Sequence, residues 1–172
     1  MKKVLYILGE LDDRDADWLV RMGRSIDVPD GHTIIREGEP IDSIYFVTGG
    51  VFRVTTQASG GEIARIGTGE VLGEISYVDR RPPTATVTAL EDGRVLAIPR
   101  ATLTEKLESD PGFSSRFYKA IATFLADRLR STLQQVGGEV ADDDEGLDLD
   151  ELHTLSQGGV RFERILRRLQ EV

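Results

Sequence analysis

At 172 residues the chain is long enough for one well-packed core and short for two. With 40% apolar and 30% charged residues it reads as a water-facing globular protein; its net charge of −9 leaves no overall basic face for nucleic acid, and the lack of cysteine excludes disulfides and thiolate metal sites. The opening Met1-Lys2-Lys3 is followed by five apolar residues, too few for a secretory core of about 7–15 or a membrane span of about 20, so a cytoplasmic protein that touches no membrane is expected.

Those five residues, Val4 to Leu8, are compatible with an added strand or with the first turn of a helix. Residues 11–23 predict a short helix: Asp12 or Asp13 can cap it, Ala16, Leu19 and Val20 face inward with Trp18 at the edge, and Gly23 can close it. Residues 1–27 are thus read as an N-terminal helical segment. From 28 to 100 the texture changes. Short apolar runs at 33–36, 43–47, 51–55, 62–66, 86–90 and 95–98 are separated by turn residues such as Pro29-Asp30-Gly31, Gly49-Gly50 and Asp92-Gly93. That spacing predicts an all-β sandwich or roll, because a βαβ sheet would need helices for which there is no room.

Residues 101–136 turn helical. A short helix over 102–109 is stopped by Asp110-Pro111-Gly112, and a long one runs from Phe113 to Val136. Phe117, Ile121, Phe124, Leu125, Leu129, Leu133 and Val136 recur on it at three- and four-residue spacing. The stripe is long for a helix lying on a small β domain, so its far half is expected to pack on a second copy, as a homodimer. Residues 137–172 begin with Gly137-Gly138 and an acidic block, 139–151, read as solvated linker. A tail helix over 159–172 follows, with Phe162, Ile165, Leu166 and Leu169 on one face and Arg161, Arg164, Arg167 and Arg168 around them; it is expected to dock on the protein.

The chemistry concentrates in residues 69–87. A strand reaches Gly73, a helical turn starts near Glu74, and a loop stiffened by Pro82-Pro83 leads to the next strand. A helix start exposes unpartnered amides and a partial positive charge, which suits a phosphate if it points into a concave roll. Gly73 lets the backbone come close, and Glu74 suits a sugar hydroxyl better than a phosphate.

This segment resembles the phosphate-binding cassette of the cyclic-nucleotide-binding domain family, the type found in the catabolite activator protein and the regulatory subunits of protein kinase A. Pro29-Asp30-Gly31, Glu37-Gly38-Glu39, residues 43–47 and Gly50-Val51 are similar to that family's early strands. The resemblance spans about residues 11–136 and implies an α+β, mainly β fold. It is an eight-stranded antiparallel roll of jelly-roll type, flanked by an N-terminal helix and a long C-terminal helix that dimerises and signals. It also implies a phosphorylated small-molecule ligand, a cyclic nucleotide such as cAMP or cGMP. Glu74 would accept from the ribose 2′-hydroxyl, and Gly73, Ile75 and Ser76 would frame the phosphate with amides. Thr84 and Ala85 would close the far side, and Arg128 and Thr132 would approach the base.

One position departs from the pattern. Where nucleotide-binding members carry an arginine against the cyclic phosphate, this chain has Pro83, with neither charge nor N–H. A charge-assisted bond is worth roughly 1.5–3 kcal/mol, so its loss weakens binding about 10- to 150-fold. Arg81 or Arg80 would have to swing in to replace it. Two readings follow: a ligand-binding regulatory module, or a degenerate dimeric scaffold that keeps the roll without the nucleotide. A DNA-binding domain is not expected, since the single basic tail helix makes no helix-turn-helix. Nor is an enzyme: His32 and His153 have no nucleophile or carboxylate pattern beside them. The acids at 142–145 lack the glycine and spacing of a calcium loop, so no metal is expected.

Overall fold

The apolar run Val4 to Leu8 forms a helix, α1 (Lys3–Glu10), buried on several sides rather than one. The computed structural model describes residues 3–137 and 149–170. A reciprocal capping box starts α2 (Asp13–Met22): the Asp12 side chain accepts from the Asp15 amide, and Asp15 accepts from the Asp12 amide.

Eight strands follow, with a short helix, α3 (Glu74–Asp79), inserted between the sixth and seventh. They are β1 (Arg24–Val28), β2 (Thr33–Ile35), β3 (Ser43–Gly49), β4 (Val51–Thr56), β5 (Gly61–Gly67), β6 (Val71–Leu72), β7 (Thr86–Ala89) and β8 (Gly93–Pro99). They pair antiparallel into two four-stranded sheets, ordered β1-β8-β3-β6 and β2-β7-β4-β5. This is the eight-stranded antiparallel roll that the resemblance implies, mainly β with flanking helices.

Alternation along β3 and β8 builds two cores from one sheet. Ile44, Phe46, Leu96 and Ile98 face the helices and join Val4, Ile7, Leu19, Leu103 and Phe113. Val47 and Val95 face the other sheet, where they meet Phe52, Val87 and Ala89. The first strand begins at Arg24, inside the stretch read from sequence as helical. In β1 only Val28 is buried, and apolar Ile26 and Val28 alone are too short a run to mark a strand.

After the roll come α4 (Arg100–Ser109), α5 (Pro111–Gly137) and α6 (Leu149–Gln170). Buried Asp15 binds Arg116 of α5 through both carboxylate oxygens, at 2.8 and 3.1 Å. The tail helix starts ten residues earlier than the sequence suggested, and Gly158 and Gly159 lie inside it. Its glycine has a packing reason. A Cβ on Gly158 would collide with the Leu5 carbonyl oxygen, and one on Gly9 would lie 2.5 Å from that of Thr154. Helices α1 and α6 therefore cross backbone against backbone. Arg161 then donates to the carbonyls of Leu8 and Gly9 at the end of α1 and pairs with Asp13, while Arg164 and Arg168 both reach Asp17. Residues 139–148 of the acidic block lie outside the described residues, and 149–151 form the start of α6.

Candidate functional site

Strand β6 delivers two buried residues and then Gly73, whose φ of 84° falls in the left-handed region. A side chain there would be strained and would also press within 2.6 Å of Ile41 Cδ1 and 3.1 Å of the Ser43 carbonyl oxygen. Glycine is required twice over. The turn throws the chain into α3, whose first helical bond runs from the Tyr77 amide to the Gly73 carbonyl at 3.0 Å. The amides of Ile75 and Ser76, one residue inside that first turn, have no carbonyl partner within the helix. Glu74 is 3% exposed and Ser76 6%, whereas Ile75 faces outward.

Two features hold this turn in place that the sequence did not reveal. Arg100, at the junction of β8 and α4, donates to the carbonyls of Ser76 (3.0 Å) and Ile41 (3.3 Å) and lies 5.2 Å over the Tyr77 ring. Tyr77 also shares a 2.9 Å hydrogen bond with Thr104; burial pushes its hydroxyl pKa above the ordinary value, with smaller contributions of both signs from its neighbours. No motif marks Arg100, because its role is to fix backbone carbonyls from a distant element. The second feature is the β2–β3 connection. Its Gly38 amide donates to the Pro83 carbonyl (2.8 Å), its Glu37 amide donates to Thr86 Oγ1 (3.0 Å), and its Ile41 packs on Gly73. One connection thus grips both arms of the 73–86 segment.

Of the far-side residues, Thr84 is exposed and Ala85 half-buried. Arg81 is exposed, and its amide donates to Asp79. Arg80 caps α3 with φ 58° and lines a cleft between α3, α4 and α5. The inner face of β4, β5 and β7 is filled at one end and thins toward the other. Phe52 is fully buried opposite Ala89 and Ile66, whereas Val54 is only half-buried and its cross-strand partner Ala64 is exposed.

The α5 stripe divides. Phe117 and Ile121 belong to the protomer's own core, and Phe124 packs with Tyr6 and Leu155. Leu125 is half-buried and Leu129 is 60% exposed. The side chains of Arg128, Thr132, Leu133 and Val136 lie outside the described residues. Among the described residues, no group of three or more acids or histidines is placed to hold a metal ion, and no helix is long and apolar enough to cross a membrane.

A family model, the cyclic nucleotide-binding domain, matches residues 25–110. An uncharacterized NTE family protein of Mycobacterium tuberculosis is 33% identical over 119 residues, covering 69% of this chain and 20% of that protein. The CRP-like cAMP-activated global transcriptional regulator of the same species is 28% identical over 142 residues, 81% of this chain and 62% of the regulator. This chain thus spans about a fifth of the first of these relatives and under two thirds of the second. Among solved structures, the N-terminal domain of a transcriptional regulator from Streptomyces coelicolor shares 31% identity at TM-score 0.63, over 75% of this chain and 94% of that one. A cyclic nucleotide-binding domain from Methylobacillus flagellatus, 20% identical over 80% of this chain and 85% of that one, shares the fold at TM-score 0.68.

Proposed function

The chain belongs to the cyclic nucleotide-binding domain family, and from that premise we propose that it is a ligand-binding regulatory module of the cytoplasm, reading a cyclic nucleotide in its roll and signalling through α5. The observation that carries the reading is the turn at Gly73. A left-handed glycine, obligatory by close contact, starts a helix whose first residue is a buried glutamate. The amides of Ile75 and Ser76 supply directed donors for phosphate oxygens, Glu74 accepts a ribose hydroxyl, and Thr84 and Ala85 flank the other side. The thinning of side chains around Val54 and Ala64 supports a hollow that admits a ligand.

Pro83 sets the strength of binding. Without an arginine on the phosphate, affinity falls roughly 10- to 150-fold below a site that has one, so ligand contacts rest on amides and on Glu74. Arg80 lines another cleft, which leaves Arg81 to offer a charge. Titration calorimetry with cAMP, cGMP and cyclic dinucleotides tests the reading. Saturable heat, abolished by Glu74→Ala, is the expected result; no heat at millimolar nucleotide overturns it.

Pro83 also favours a second reading, a dimeric scaffold that has lost its ligand. In that case Glu74→Ala leaves function intact, and substitution of exposed Leu129 abolishes it.

A further inference from the structure

Arg80 is the one residue other than glycine with a positive φ among the described residues, 58°. The cap of a short helix is a place where glycine or asparagine sits without cost and a longer side chain is strained. Strain of this kind persists where the side chain has a task that the surroundings enforce. Arg80 lines a cleft of about 610 Å³ between α3, α4 and α5, a volume in the range of small-molecule sites. Arg100 reaches the same cleft, held by two backbone carbonyls and the Tyr77 ring. Among the described residues neither guanidinium has a carboxylate within ion-pair distance, and one acid, Glu108, lines the cleft beside them. The walls also carry the rings of Tyr77 and Tyr118, the latter 46% exposed.

We propose that this cleft is a second ligand site, distinct from the roll, that takes a small aromatic carboxylate. Its anionic group would meet Arg80 and Arg100, and its flat body would lie against Tyr118 and the exposed Val78. The inference does not depend on what the roll binds.

The test uses 2-naphthoate as the probe, titrated into the whole chain by calorimetry and by NMR of the tyrosine rings. Saturable one-to-one binding is expected. Arg80→Gly is the informative variant because it separates the two roles. It relieves backbone strain, so the melting temperature holds or rises, while naphthoate affinity falls about tenfold or more. Tyr118→Ala weakens binding as well. Inorganic phosphate displaces the probe only at much higher concentration. The proposal is overturned if naphthoate shows no saturation at about 10 mM, if Arg80→Gly binds it unchanged, or if phosphate alone binds equally well, which would make the cleft a plain anion site.

Discussion

Asp15 does two jobs with one carboxylate, closing the capping box of α2 and holding Arg116 of α5 at 2.8 Å. Its side chain is almost fully buried, while that of Arg116 is a third exposed, so solvent screens part of the pair. Asp15→Ala should cost about 2–3 kcal/mol in urea unfolding, below the penalty for breaking a fully buried pair. Asp110 is a solvent-facing counterpart at the start of α5. The Lys106 ammonium at 2.7 Å, then the Phe113 amide, hold its carboxyl below the ordinary carboxylate pKa. A carboxyl with a lowered folded pKa contributes its stability above its unfolded value and loses it as pH falls through the folded one. Asp110→Asn should therefore flatten the acid limb of the stability curve and leave the slope near neutral pH unchanged, as measured by thermal melts across pH.

At the scale of elements, the most exacting contact is the crossing of α1 and α6. Gly158→Ala places a methyl group on the Leu5 carbonyl, and overpacking of this kind costs about 1–3 kcal/mol. Hydrogen exchange of the amides in α6 should accelerate in that variant while those in β3 and β8 keep their protection. Legibility from sequence differed by element for physical reasons. The Asp12 or Asp13 cap and the Asp110-Pro111 stop announced α2 and α5, since local chemistry fixes those boundaries. Strand β1 escaped because it is short and buries a single residue. The early start of α6 was hidden because its first residues belong to the acidic run read as solvated linker, where charge carries no helical stripe. The cassette turn was readable to the residue at Gly73 and Glu74. Arg100 and Gly38 were not, because they act on carbonyl and amide groups brought near by the fold alone.

For the whole molecule, the division of the α5 stripe decides what a second copy can use. Phe117, Ile121 and Phe124 are committed inside the protomer, leaving Leu129 on the outside with Leu125 partly covered. If two copies pair along α5, Leu129→Asp should halve the mass seen by sedimentation equilibrium while the circular dichroism spectrum and unfolding midpoint of the protomer hold. An unchanged mass would remove α5 from the dimer interface.

The hydrogen bond that Arg161 makes to Leu8 joins residues 153 positions apart. A ribosome adding about 5–20 residues per second needs roughly 8–30 seconds to cover that distance. Until that distance has been covered, Val4, Ile7 and Leu8 lack the part of their cover that Phe162 and Ile165 supply. Helix α1 is therefore sealed only once α6 has been made, so one face of this core closes at the end of folding rather than at its start.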